Sequence, residues 1–422
     1  MKITGIITEY NPFHNGHLYH LKKTKDNTGG QGTLCIMNGN FMQRGAPAMI
    51  DKWSRAEMAI KNGVDLILEL PLFYGIRSAE YFASGALNLL EKTGCVDSFV
   101  FGSESGNLGP LSQIANILVQ EPDYYRQRLH HYLQTGKPFP GARQRALIEY
   151  LTRENGSQPG KEIHHALKKP NNILGIEYLK TIRRDSLSLK PVTIKRKGRE
   201  YHEKKTGGRI SSATAIRKKF YSSQGNTGKI ERYIPDICQE IITEKVKNGF
   251  LPLRKEYLGI MILSQVRKMG TKELQKYAEL RNGLENRLLR YAQNCGSLTE
   301  LLNKTKTRAF TWTRIQRNLL HILFRLREKD FIRLDKAGPQ YFRVLGFNKT
   351  GRKILNQIKK SSDLPLITQP ADFLQEVEPY TEDPLRAQLS LDIMATDLYS
   401  LLYRDEKCRT GRQDFYRPVI KI

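Results

Sequence analysis

The chain has 422 residues, with 69 Lys and Arg against 42 Asp and Glu for a formal net charge of +27, and it is 39% hydrophobic and 26% charged. This composition suits a folded protein of two or three domains with an ample core, and it excludes a disordered, collagen-like or membrane-embedded chain. No run approaches the roughly 18 apolar residues of a membrane span, and five scattered cysteines without a C-x-x-C pair suggest reduced thiols in a cytoplasmic protein.

In chain order, apolar β-rich runs over residues 3–8, 33–37, 64–70, 98–101 and 191–194 alternate with helical spacing over 17–25, 52–62, 79–92, 111–133 and 171–183. The polar start of the first run leaves no room for the apolar stretch of a signal peptide. Strand–helix alternation of this kind predicts a parallel sheet covered on both faces, an α/β class of Rossmann-like nucleotide-binding type. Beyond about residue 220 the β signal fades. Helical spacing then predominates over 230–247, 271–293, 312–327, 351–359 and 387–403. Gly29-Gly30 and Gly207-Gly208 mark loops. The expected organisation is a catalytic α/β domain over 1–220 and a mainly α-helical, basic domain over 221–422.

Charge follows a different division. Residues 1–150 carry 15 basic and 13 acidic side chains, residues 151–350 carry 43 and 18, and residues 351–422 carry 11 of each. Almost the whole excess therefore lies in the middle of the chain, as expected if a near-neutral unit does chemistry beside a surface that holds a polyanion. The clusters Lys195, Lys197 and Arg199, Lys204 and Lys205, Lys218 and Lys219, and Arg314 and Arg317 are the candidate RNA contacts. Tyr201, Phe220, Phe310 and Trp312 are interleaved with them as candidate base-stacking aromatics. Any one cluster could be a solvated face, and RNA is favoured by the sum. No basic amphipathic helix points to a membrane surface.

The first strand runs into a polar loop that opens a helix near Gly16. In a doubly wound sheet that loop lies where a nucleotide binds, and a helix N-terminus suits phosphate. Gly16 permits close backbone approach to a ligand. His14 and His17, three apart, can face one phosphate and donate hydrogen bonds to developing charge. Two such histidines could also be surface or core residues, or zinc ligands, although no Glu or third ligand accompanies them. Gly102, after the fourth strand, is placed for close approach to adenine or ribose or is an ordinary turn glycine. Gln43 and Arg44 could help close the ligand pocket, with a structural loop arginine the equal alternative for Arg44, whereas Trp53 and Arg55 read as packing and surface residues.

His14-Asn-Gly-His17 resembles the H-x-G-H motif of nucleotidyltransferases and class I aminoacyl-tRNA synthetases. The strings ITEYNPFHNGHLYH (7–20), MNGNFMQRGAPAMIDKWSRAEMA (37–59), VDLILELP (64–71), SAEYFASGAL (78–87), FGSES (101–105), NNILGIEYLK (171–180) and IKRKGREYH (194–202) are similar to those of the bacterial tRNA-Met cytidine acetate ligase family. The likeness is dense over 1–220 and diffuse beyond. It implies an enzyme that makes acetyl-adenylate from acetate and ATP, with Mg²⁺ on the phosphates, and acetylates N4 of the wobble cytidine of elongator tRNA-Met. It also implies ATP contacts from Ile7, Thr8, Glu9, Tyr10, Asn11, Pro12, Phe13, His14, Asn15, Gly16, His17, Leu18, Tyr19 and His20, and from Asn171 and Arg196, with Asn172 the alternative to Asn171. Arg209-Ile-Ser-Ser-Ala-Thr-Ala-Ile-Arg217 resembles the superfamily's second motif, so Ser211, Ser212 and Arg217 would hold phosphates, with helix capping the simpler role for either serine. His14, His17 and Arg217 are the candidate catalytic residues. An adenylyltransferase acting on a small phosphorylated metabolite, or a non-catalytic RNA-binding protein with a vestigial nucleotide fold, remain alternatives.

Overall fold

The structure, a computed structural model, describes residues 1–157, 161–197 and 208–422. Its centre is one mixed sheet in the order β10-β8-β5-β2-β1-β6-β7. The strands are β1 (Ile3–Thr8), β2 (Gly32–Asn38), β5 (Leu66–Leu70), β6 (Ser98–Ser103), β7 (Lys190–Lys195), β8 (Phe342–Phe347) and β10 (Ile420–Lys421). A short strand β9 (Leu366–Ile367) joins β8, and the hairpin β3 (Phe41–Met42) with β4 (Ala46–Pro47) stands apart. Pairing is parallel from β5 through β2, β1 and β6 to β7. All seven residues of β2 and all five of β5 are buried, as required of strands covered by helices on both faces. Strand order reverses at β1, which has β2 on one side and β6 on the other. That switch point opens a crevice beyond the carboxyl ends of β1 and β6.

Several helices break where chain chemistry forbids their continuation. The expected helix over 111–133 is two, Leu108–Gln120 and Asp123–Gln134, separated by Glu121 at φ 43° and Pro122. A residue before proline is disfavoured in the α region. The helix expected over 230–247 begins only at Asp236, after two short 3₁₀ turns and Pro235. That over 271–293 divides into Thr271–Leu274 and Leu284–Gln293.

The part after residue 220 is mainly helical, but it does not leave the sheet. Strand β8 pairs antiparallel with β5, and β9 and β10 pair with β8. Residues 338–422 therefore complete the sheet begun by residues 3–70, and β5 acquires a neighbour on its outer edge. The helix Pro384–Ser400 also reaches back to the first half. Asp392 accepts the Leu72 N–H at 2.6 Å, Asn40 Nδ2 donates to Thr396 Oγ1 at 3.2 Å, and the Tyr399 hydroxyl donates to the Ala48 carbonyl at 3.2 Å.

A buried charge cluster fastens this return. Lys52 Nζ lies 2.8 Å from Glu69 and 2.8 Å from Asp414, and Arg343 lies 3.4 Å from Asp414, with all four side chains at most 3% exposed. Burial works against the Lys52 charge, but Asp414 and Glu69 outweigh it and hold the ammonium's pKa above its ordinary value.

Candidate active site

The loop from Glu9 to His14 is shaped by its own side chains. Tyr10 sits in the left-handed region at φ 44°, a conformation a bulky residue adopts only when its surroundings impose it. Its ring is 2% exposed, packed on Phe13 and edge-on to His17 at centroid distances of 4.8 and 4.9 Å. His14 then caps the helix α1 (Asn15–Thr28). Its Nδ1 accepts the Gly16 N–H at 3.0 Å and its carbonyl accepts the His17 N–H at 2.8 Å. A Cβ on Gly16 would lie 2.8 Å from His14 Cε1, so the glycine makes room for the imidazole itself.

The two imidazoles stack 3.7 Å apart at 22°. Burial, then the charges of Arg196 and Arg217, lower the His14 pKa to about 3. Burial, then His14, Arg196 and His20, hold His17 well below its usual value. Burial and Arg196 lower His20 to about 4. All three rings are therefore neutral near pH 7. In neutral His14 the nitrogen that accepts from Gly16 carries no proton, so Nε2–H is the available donor. His17 Nδ1 and His20 Nε2 are buried and have no hydrogen-bond partner among the described residues, a state found at sites that take a ligand group.

Other elements converge on the same loop. Arg217, on the helix Ala213–Ser222, donates to the Asn11 carbonyl at 2.6 Å and to Thr214 Oγ1 at 3.2 Å. Ser212 caps that helix by accepting from the Ala215 N–H at 3.2 Å, and Ser211 is half-buried just before it. Asn15 Nδ2 donates to the carbonyls of Arg209 and Arg232, tying α1 to the second motif. Gly102 lies inside β6 rather than after it, where a Cβ would fall 3.2 Å from Arg196 Cγ and 3.5 Å from His20 Cδ2. The Arg196 N–H donates to Ser103 at 2.8 Å.

Asn171 and Asn172 form a reciprocal clamp with the turn after β6. The Glu104 carboxylate accepts from the Asn171 N–H and Nδ2 and from the Asn172 N–H, at 3.2, 2.7 and 2.8 Å. In return Asn172 Oδ1 accepts the N–H groups of Glu104 and Ser105 at 2.9 and 3.1 Å. Glu104 thus supplies the helix Pro170–Arg184 with the cap its own Lys169 does not provide.

Arg55 is not a surface residue. It is 0% exposed and donates to the carbonyls of Ile50, Glu9, Asn38 and Gly39, locking the start of the 39–45 loop to the end of β1. Trp53 packs at 3% exposure as expected. Glu9 Oε1 accepts the Gln43 N–H at 2.8 Å, and Gln43 Nε2 donates to the Arg77 carbonyl. Gly45 at φ 80° meets the backbone of the helix Trp312–Leu323, where a Cβ would lie 2.6 Å from the Arg317 nitrogen.

The basic candidates surround this loop unevenly. Lys195 ends β7 and Lys197 follows it, with Lys197 Nζ 4.5 Å above the Tyr19 ring. Lys218 is exposed, and Lys219 donates to the Tyr233 hydroxyl at 2.8 Å. Arg314 is half-buried against Glu279, 3.6 Å away, and Arg317 has a buried Nε without a partner among the described residues. Phe220 is 0% exposed and belongs to the core, so it offers no ring to a base. Arg199, Tyr201, Lys204 and Lys205 lie outside the described residues. Sequence reasoning missed Glu104, although it stands in the FGSES string, and missed the burial of Arg55, which no local pattern signals.

A sheet with a parallel core and a switch point at β1, a paired-histidine helix start and a second motif meeting it are the marks of a nucleotidyltransferase. The family model described as HIGH Nucleotidyl Transferase matches residues 1–414. Over 100% of both chains, the protein is 51% identical to the tRNA(Met) cytidine acetate ligase of Halothermothrix orenii and 41% identical to that of Acetivibrio thermocellus. The crystal structure of Thermotoga maritima TmcAL bound with alpha-thio ATP is 36% identical, covers 100% of both chains and superposes with a TM-score of 0.91. The chain belongs to the tRNA(Met) cytidine acetate ligase family of the HIGH nucleotidyl transferases.

Proposed function

We infer that this protein is a ligase that joins acetate to a cytidine of tRNA(Met) at the expense of ATP. The observation that carries the reading is the meeting of the neutral His14–His17 pair, the N-terminus of α1 and Arg217 on one loop, in a chain related over its full length to ligases of that name. ATP, arriving with its own Mg²⁺, lies across the carboxyl ends of β1 and β6, near Gly102, Asn171 and Arg196. An acetate oxygen bonds to the α-phosphorus, the bond to the β-phosphate oxygen breaks, and pyrophosphate leaves with the bonding electrons. His14 Nε2–H donates to the charge that develops, and Arg217 adds fixed positive charge. The exocyclic amine of the wobble cytidine in elongator tRNA-Met then attacks the acetyl carbonyl, the acyl–oxygen bond breaks, AMP departs, and the amine's proton passes to solvent. Holding the amine against the mixed anhydride supplies much of the rate. The basic middle of the chain provides the RNA surface, and the setting is the cytoplasm, where tRNA and ATP are supplied.

The test is incubation of the protein with ATP, labelled acetate and elongator tRNA-Met, followed by nucleoside mass analysis. N4-acetylcytidine at the wobble position is the expected product. Its absence under conditions where ATP binds overturns the reading in favour of a small-metabolite adenylyltransferase or a non-catalytic RNA binder.

A further inference from the structure

Three cations, Arg217, Lys255 and Arg44, feel one another's charge beside the Asn11 turn. Arg217 holds the Asn11 carbonyl at 2.6 Å. One turn further along its helix stands Tyr221, and over that ring, 3.5 Å from its centroid, lies the ammonium of Lys255. Lys255 begins another helix, Lys255–Arg267, so its approach to Arg217 is a product of the tertiary fold. The Arg217 charge acts directly on Lys255, and the Arg44 charge acts on Arg217.

Among the described residues the carboxylate that offsets Arg217 is Glu9, which is held in place by the Gln43 N–H and Asn38 Nδ2. The neighbouring Glu256 faces Arg254 at 3.8 Å instead. Burial against the ring, together with Arg217, lowers the Lys255 pKa to about 8. Like charges placed together cost free energy, and a bound polyanion relieves it. The Tyr221 face holds the ammonium in place meanwhile.

We propose that Lys255 is a further nucleotide-binding residue, completing with Arg217 and Arg44 a cradle for the β- and γ-phosphates of ATP and for the pyrophosphate that leaves. The inference rests on the ATP-site reading above. Three cations match the multiple charge of pyrophosphate better than the single charge of each RNA backbone phosphate. Lys255 therefore acts on the leaving group, at the opposite end of the triphosphate from the adenosine.

Lys255→Met and Lys255→Arg test this, with calorimetric binding of inorganic pyrophosphate and of AMP, and with acetate-dependent ATP–pyrophosphate exchange. Lys255→Met should weaken pyrophosphate binding by about tenfold or more, raise the KM for ATP by a similar factor and leave AMP affinity unchanged. Lys255→Arg should restore pyrophosphate affinity, which a purely structural role for the side chain would not require. Unchanged pyrophosphate binding in Lys255→Met overturns the proposal. So does weakened tRNA binding with pyrophosphate binding intact, which would assign the cluster to RNA. A wild-type protein that binds pyrophosphate through Lys255 yet makes no acetylcytidine refutes the functional reading alone.

Discussion

Gly16 shows how closely the H-x-G-H turn is built around its own first histidine. The glycine N–H donates to His14 Nδ1, and the space a Cβ would take is already filled by the His14 ring. Gly16→Ala should push the imidazole out of its stack with His17 while leaving the helix start intact. The expected result is a fall in kcat of about a hundredfold, the usual cost of a misplaced catalytic group, with little change in melting temperature. A variant with normal kcat would mean that the His14 position does not matter to the reaction. Arg55 makes the complementary point. Its motif was visible in the sequence, but four backbone carbonyls drawn from three segments select its role, and none of them has a side-chain identity to read.

At the scale of elements, the site is a set of helix starts and strand ends held in register by crossed hydrogen bonds. Helix α1 is tied to the second motif by Asn15, and the turn after β6 is tied to the helix Pro170–Arg184 by Glu104 and Asn172. Asn172→Leu would fill similar space but leave the Glu104 and Ser105 N–H groups without their acceptor, at about 1–3 kcal/mol each. We expect a lower melting temperature and a KM for ATP raised several-fold, with kcat reduced less. Equal KM values would show that the clamp does not position the nucleotide. The first three strand–helix alternations were legible from periodicity because each depends on residues close in sequence. Strand β8 was not, because its partner β5 lies some 270 residues earlier, and a lone strand set among helices has no local mark that separates it from its surroundings.

The molecule as a whole is closed by the Lys52–Glu69–Asp414–Arg343 cluster, which joins the helix after the 39–45 loop, strand β5, strand β8 and the segment before β10. Lys52→Met would leave two buried carboxylates without their shared cation. Removal of one partner from a buried ion pair costs about 3–5 kcal/mol, so the melting temperature should fall sharply. Restoration by Glu69→Gln in the same chain should be partial, since Asp414 keeps Arg343. A Lys52→Met protein as stable as wild type would show that the cluster does not fasten the two halves.

Taken alone, the sequence determined the α/β class, the loop and helix start that carry His14 and His17 after the first strand, and the concentration of positive charge in residues 151–350, and it marked 209–217 as a candidate second motif, since each rests on local periodicity, residue spacing or composition. It also offered Asn171 and Arg196 as candidate nucleotide contacts through short strings. Only the tertiary structure decided that the last third of the chain returns to the sheet, that Arg55 and Lys52 are buried, that Phe220 is core, that His14 and His17 are neutral, and that Lys255 stands beside Arg217. Burial, ionisation and cation clustering depend on which distant segments pack together, and that information is spread over the whole chain rather than written at any one position.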